Sequence, residues 1–265
     1  MAQDLHTLSA LLWDVDGTVA ETERDGHRVA FNQAFEAAGL PWHWDVAHYG
    51  ELLQVTGGRE RLLADMATRP DAPTREADRE ALAAHLHGLK NARYARLVAA
   101  GGLQARPGVL ALMGEARAAG LRQAIVTTTS RSNVDALFAR LLGDDWAALF
   151  DAVCCGEDTR RKKPDPEVYE LALNRLGLAP QQALALEDSP PGALAARAAG
   201  VPLLLRPSQY FPAEALPPEL AVAVADQGAG AAGGPTAVFD LAALRDWHAQ
   251  QLAQPAARAS AAAQA

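Results

Sequence analysis

Cysteine is almost absent from this chain: there are two in 265 residues, and they are neighbours, Cys154 and Cys155. Adjacent cysteines have poor geometry for a mutual disulfide, and they do not make a C-x-x-C metal-ligand pair. They are read as small residues filling a buried strand. Long apolar runs are also missing. No stretch approaches 18 consecutive apolar residues, so no membrane-spanning helix is expected. The opening MAQDLHTLSALLWDVDG carries neither the basic segment nor the apolar stretch of a signal peptide. Positive charge is in deficit, with 24 Lys and Arg against 32 Asp and Glu and a net charge of −8. A nucleic-acid partner needs a basic face and is therefore not expected. What remains is an acidic protein of a reducing compartment, expected in the cytoplasm as a monomer.

What is present is ordinary globular material, 49% apolar and 21% charged. The length suits one large domain, or a core carrying an inserted second domain. The short apolar run from Leu8 to Val15 reads as a buried strand. From His27 the period changes: Ala30, Phe31, Ala34, Phe35 and Ala38 recur at helical spacing until Gly39. Residues 21–104 show helical patterns and no strand alternation, with one long helix predicted over Arg79 to Ala100. After Pro107 strands and helices alternate. Strands are predicted at Leu121 to Thr127, Asp151 to Cys155, Ala183 to Glu187 and Val201 to Leu205. This alternation means parallel βαβ units. The fold class is therefore α/β, a Rossmann-like parallel sheet formed by residues 8–20 with 105–252 and interrupted by an all-helical insertion at 21–104. Residues 226–236 are expected as a loop, and the Ala/Gln-biased residues 253–265 as a disordered tail.

Ligands of open α/β sheets bind beyond the carboxyl ends of the strands, so the residues after each strand matter most. The first strand ends in Asp14-Val15-Asp16-Gly17-Thr18 and the second in Thr127-Thr128-Thr129. The third is followed by Lys162-Lys163-Pro164, and the fourth ends in Glu187-Asp188-Ser189. Four acidic groups at one edge repel unless a cation sits among them. Carboxylate oxygens suit Mg²⁺, which leaves positions open for a substrate phosphate. Lys163 and the hydroxyl and backbone N–H groups around Thr127 and Thr128 would neutralise the other side of a phosphoryl group. In D-x-D-G-T the glycine permits a turn that re-aims the second carboxylate. One aspartate can then attack phosphorus while the other acts as general acid and base.

These motifs, in this order, resemble those of the haloacid dehalogenase-like (HAD) phosphohydrolases, over roughly residues 8 to 250. GALAARAAGVP after the fourth motif is similar to the CbbY and β-phosphoglucomutase-like subgroup. The resemblance implies Asp14 as nucleophile and Asp16 as acid/base. It implies Mg²⁺ held by Asp14, Asp188 and the backbone oxygen of Asp16, with Glu187 behind it in a water-mediated or supporting role. Thr127 and Lys163 would hold the phosphoryl group, with Thr128 beside them. The true dehalogenases of the superfamily lack the second aspartate, so Asp16 points to phosphoryl transfer.

The insertion resembles a small helical cap that closes over the substrate and reads its remote end. AETERDGHRVAFNQAF (20–35) and YGELLQVTGGRERLL (49–63) are similar to CbbY-type proteins, which are associated with hydrolysing xylulose 1,5-bisphosphate and, more weakly, ribulose 1,5-bisphosphate. Arg59 and Arg61 are candidates for a distal phosphate, because the guanidinium is a bidentate donor. Glu21, Glu23 and His27 are candidates for sugar hydroxyls. Trp42, Trp44 and Tyr49 are expected to pack the cap rather than stack a ligand. The leading function is an Mg²⁺-dependent phosphatase of a small sugar phosphate, acting through an aspartyl-phosphate. The alternatives are a β-phosphoglucomutase-type mutase, disfavoured by Thr56-Gly57-Gly58-Arg59, and a non-catalytic interaction protein.

Overall fold

In the computed structural model, which describes residues 7–217, 220 and 240–253, the first strand sits in the middle of the sheet. It is β1, Ala10–Trp13, flanked by β2, Arg122–Val126, and β4, Ala183–Glu187. β3, Ala152–Cys154, and β5, Leu203–Leu205, lie outermost, giving the order β3-β2-β1-β4-β5 with every pairing parallel. Leu12 stands opposite Ala124 on one side and Ala185 on the other.

Successive strand residues face opposite sides of a sheet, and here both sides are covered. Leu11, Trp13, Ile125 and Leu186 join one apolar cluster, while Leu12, Ala124, Val126 and Ala185 join another. The first face is closed by α5 (Val109–Ala118), α6 (Arg131–Leu142) and α9 (Leu241–Ala253), the second by α7 (Glu167–Leu176) and α8 (Pro190–Ala198). Burial on both faces is why these strands read as continuous apolar runs rather than alternating ones. Gln123, fully buried, accepts from the Trp13 indole at 3.0 Å and donates to the Met113 carbonyl at 3.0 Å, so the polar group is satisfied. Cys154 and Cys155 are free and buried on opposite faces, and burial pushes their thiols up to about 11 and about 12.

Between β1 and α5 the chain is helical: α1 (Arg28–Ala37), α2 (Val46–Leu52), α3 (Gly58–Thr68) and α4 (Glu76–Ala99). A π-helical turn, Glu23–His27, leads into α1. These helices have an apolar core of their own, in which Phe31, Phe35, Trp42, Trp44, Tyr49 and Leu62 pack together. The Trp44 indole donates to buried Asp65 at 2.9 Å, and the Arg69 Nε donates to the same carboxylate at 2.6 Å. The two crossings between insertion and sheet lie side by side, joined by an antiparallel bridge from Ala20 to Ala105.

Three details differ from the sequence reading. α4 starts at Glu76, three residues before the expected Arg79. The turn at Glu23–His27 is π-helical and holds Gly26 against Leu103 and Tyr94, where an added Cβ would meet ring and methyl carbons at 3.0–3.5 Å. Ala253, expected in the tail, closes α9, whose Leu241 and Leu244 are buried. The predicted loop 226–236 and residues 254–265 of the tail lie outside the described residues.

A half-buried histidine on α4 supplies a pH test of the insertion's packing. His87 faces the Ser130 hydroxyl at 3.4 Å, and burial, with Lys90 nearby, lowers its pKa to about 4. The unfolded chain binds that proton near pH 6.5, so between about pH 6.5 and 4 the unfolded state holds more protons and stability falls as pH falls. Replacing His87 by Gln is expected to remove on the order of 2 kcal/mol of this acid-induced loss. Urea midpoints measured from pH 7 to 4 check it; parallel pH profiles for the two proteins would contradict it.

Candidate active site

Three strand ends and one loop deliver the polar and charged groups. Beyond β1 the backbone continues in register, with the Asp14 N–H on the Leu186 carbonyl at 3.0 Å, then turns sharply at Gly17. Gly17 has φ +84°, and a Cβ there would lie 2.0 Å from an Asp188 carboxylate oxygen. Only glycine serves both needs. Beyond β2, the Thr127 hydroxyl accepts from the Thr129 N–H at 3.2 Å. Beyond β4, Ser189 caps α8 by accepting from the Gly192 N–H at 3.3 Å, with Pro190 opening the helix.

Lys163 is the hub. Its ammonium, nearly fully buried, donates to Asp14 at 2.7 Å, to Glu187 at 2.6 Å and to the Val126 carbonyl at 2.8 Å. The Tyr169 hydroxyl of α7 donates to the same Glu187 oxygen at 2.6 Å. One ammonium thus stands among three buried carboxylates, those of Asp14, Glu187 and Asp188, with the Arg106 guanidinium a further positive charge felt by Asp188. The imbalance shows in their acidities. Burial and the Glu187 charge push Asp14 up to about 8 despite Lys163. Burial, Asp14 and Glu187 raise Asp188 well above the carboxylate range, against a hydrogen bond from Ser208. Burial disfavours the Lys163 ammonium, but Asp14 and Glu187 outweigh it and raise its pKa.

A divalent metal fits this arrangement. Asp14, Glu187 and Asp188 each offer an oxygen within 4.8 Å of the others, and the second Glu187 oxygen is buried without a hydrogen-bond partner. An all-oxygen, negatively charged donor set suits a hard cation such as Mg²⁺.

Asp16 is set apart from this crowd. Its carboxylate accepts from the Thr22 hydroxyl at 2.5 Å and meets His27 Nε2 at 2.9 Å. Burial would raise its pKa, but His27, Thr22 and Lys90 together hold it well below the usual range. His27 stacks on Tyr94 with ring centroids 4.1 Å apart. Two aspartates separated by one residue therefore have different partners, Lys163 beside Asp14 and Thr22 with His27 beside Asp16.

One cavity is lined by Asp14, Asp16, Thr127, Thr128, Lys163 and Asp188 of the core, and by Glu21, Glu23 and Arg61 of the insertion. Glu187 and His27 sit behind its walls, on Lys163 and Asp16 respectively. Arg61 is buried; it donates to the Tyr49 hydroxyl at 2.9 Å and lies 3.9 Å from Glu23. Arg59, paired with Arg61 in the sequence reading as a ligand of a distal phosphate, lies elsewhere. It is exposed and ion-paired with Glu80 of α4. The reason is helical geometry: residues two apart on α3 point about 200° apart, so both cannot face one cavity. Sequence reasoning missed Thr22, Lys90 and Tyr169, and it missed Thr56, Ser208 and Tyr210, which also line the cavity. Their signal is weak, since Ser208 and Tyr210 follow the last strand and carry no motif.

A parallel sheet whose strand ends present a buried aspartate, a lysine across it, a second aspartate held apart and a metal-fitting carboxylate group defines an enzyme of phosphoryl transfer. A sequence model of the haloacid dehalogenase-like hydrolases matches residues 8–200, and the chain belongs to that family. It is 42% identical over 247 residues to protein CbbY of Cupriavidus necator, covering 91% of this chain and 97% of that one. It is 45% identical to protein CbbY of Rhodobacter capsulatus, over 77% of this chain and 87% of the relative. Among solved structures, a variant of CbbY from Rhodobacter sphaeroides in complex with xylulose-(1,5)bisphosphate superposes with a TM-score of 0.72 at 40% identity, covering 77% of this chain and 88% of the other. The chain is a phosphatase of the CbbY-like subgroup. No helix among the described residues is long and apolar enough to cross a membrane.

Proposed function

We propose that this chain is an Mg²⁺-dependent phosphatase of a pentulose bisphosphate such as xylulose 1,5-bisphosphate, with residues 21–104 acting as the cap that closes on the substrate. The observation that carries the reading is one cavity lined both by Asp14 and Lys163 of the α/β core and by buried Arg61 of the insertion. A phosphoryl group at the first and a second anionic group at Arg61 account for both ends of a bisphosphate. The Rhodobacter sphaeroides relative that binds xylulose bisphosphate supports the same substrate.

In this reading Asp14 attacks phosphorus and becomes an aspartyl-phosphate, while the sugar oxygen leaves with a proton from Asp16. Asp16 then takes a proton from the water whose oxygen bonds phosphorus as the Asp14–phosphorus bond breaks, which frees phosphate, regenerates the Asp14 carboxylate and returns Asp16 to its protonated form. Thr22 and His27 hold the Asp16 carboxylate in place at the cavity by their contacts with its Oδ1. Lys163 holds Asp14 in place and neutralises a phosphoryl oxygen, and Thr127 and Thr128 donate to the others. Asp14, Asp188 and the backbone oxygen of Asp16 would hold Mg²⁺, with Glu187 supporting. Its chemistry there is to screen the negative charge shared by carboxylates and phosphoryl group. Closure is supported by the Thr56 hydroxyl, which donates from the insertion to the Lys163 carbonyl, and by Asn91 on α4, which donates to Ser130 at 3.2 Å. A closed cap excludes water while the phosphoryl group moves.

The expected result is phosphate release from xylulose 1,5-bisphosphate by the purified chain with Mg²⁺. Chelation with EDTA lowers the rate by about 100-fold or more, and added Mg²⁺ restores it. A colorimetric phosphate assay reads both. Absence of release from every pentulose bisphosphate, with Mg²⁺ present, would overturn the substrate; a rate unmoved by EDTA would overturn the metal.

A further inference from the structure

Residues 206–211, just after β5, form a wall of the cavity that no motif announces. The segment is tied down on several sides. Arg106, in the strand of chain returning from the insertion, donates to the Arg206 carbonyl at 3.0 Å and the Pro207 carbonyl at 2.6 Å. The same guanidinium donates to the Gly17 carbonyl in the first motif. The Gln209 N–H donates to Glu21 at 3.3 Å, and the Ser208 N–H to the Phe211 carbonyl at 3.1 Å. Its position is therefore set jointly by the catalytic turn and the insertion.

Tyr210 is what this scaffold presents. Its ring lies against Tyr49, centroids 5.8 Å apart at 59°, and so close to α2 that a Cβ on Gly50 would meet it at 3.1 Å. It lines the cavity together with Asp14, Glu23 and Arg61. Its hydroxyl is shielded from solvent and has no hydrogen-bond partner. A phenol buried for packing alone leaves an unsatisfied donor, which is costly, and phenylalanine would pack as well without that cost. Tyr49 beside it shows the contrast, since its hydroxyl is engaged by Glu23 and Arg61.

We propose that Tyr210 is a specificity residue whose hydroxyl hydrogen-bonds an oxygen of the substrate's carbon chain, selecting polyhydroxylated phosphates over bare alkyl ones. This rests on the sugar-phosphate reading above. A site built to pair a substrate oxygen rejects the analogue that lacks it, because its own polar group then stays unpaired.

The test compares two ligands of equal span, xylulose 1,5-bisphosphate and pentane-1,5-diol bisphosphate, the second without hydroxyls or carbonyl. Binding to the full chain with Mg²⁺ is measured by calorimetry in the Asp14→Asn background, where no turnover intervenes. The expected result is that adding Tyr210→Phe weakens the sugar bisphosphate by about 5-fold more than the diol bisphosphate, the size of one lost neutral hydrogen bond. Tyr210→Leu, which also removes the ring, should show the same selective component on top of any common loss. If both ligands weaken equally, or neither does, Tyr210 only packs and the inference fails while the substrate reading stands. If the Asp14→Asn protein binds neither ligand, the substrate reading fails and takes the inference with it.

Discussion

Asp14→Asn is expected to lower phosphate release from a sugar phosphate by at least about 10⁴-fold, the scale of loss when a covalent nucleophile is removed. Asparagine has the shape of aspartate but a far poorer nucleophilic oxygen. The position is held from several directions: the backbone by Leu186, the side chain by Lys163 at 2.7 Å, and the site by near-complete burial. The substitution is therefore expected to leave the fold unchanged. It also removes one negative charge from a group in which a single ammonium faces three buried carboxylates. In metal-free buffer the melting temperature should consequently equal or exceed that of the parent protein. Phosphate release and thermal melting on the same preparation check both statements. Retention of more than about 1% of the rate would remove Asp14 from the nucleophile's role.

Lys163→Met is expected to damage both activity and stability. Methionine keeps the length of the stem but leaves Asp14 and Glu187 buried without their shared counter-charge. Removing one partner of a buried ion pair typically costs 3–5 kcal/mol, so a loss of about that size is expected in metal-free urea unfolding. A second change, Glu187→Gln, deletes one of the stranded charges and should restore part of that stability. It should not restore turnover, because the cation that neutralises the phosphoryl oxygen is still missing; a drop of about 10³-fold in kcat/KM is expected for both proteins. Tyr169 gives the pair a further anchor, since its hydroxyl shares the Glu187 oxygen with Lys163. Equal stability of the Lys163→Met protein and its parent would show that Mg²⁺-free carboxylates in this site are less crowded than their distances imply.

The strand ends were legible for a physical reason. A strand covered on both faces must be apolar throughout, so the polar residues that follow it stand out in sequence and lie at the sheet's edge in space. That holds for Asp14, Thr127, Lys163 and Asp188, which line one cavity. The insertion was legible as helix but not as a ligand surface. Arg59 and Arg61 look equivalent in the string, yet the helical turn sends one to Glu80 and buries the other beside Tyr49. His27 looked like a sugar ligand, whereas its Nε2 faces Asp16 and its ring is covered by Tyr94.

The amino-acid sequence by itself determined the parallel α/β core, the helical insertion after the first strand, and the identity of the charged groups at the strand ends, because burial period and strand-end chemistry are local properties. Only the tertiary structure decided which of those groups share a proton environment and what forms the far wall. The different settings of Asp14 and Asp16 arise from Lys163, Glu187 and the Thr22–His27 turn, brought together from three separate stretches. The placement of Tyr210 depends on Arg106 and Glu21 reaching across about 100 and 188 residues of chain. Electrostatic and steric neighbours act through space, over a few ångströms, and the order of residues along a chain carries no record of such distances until it has folded.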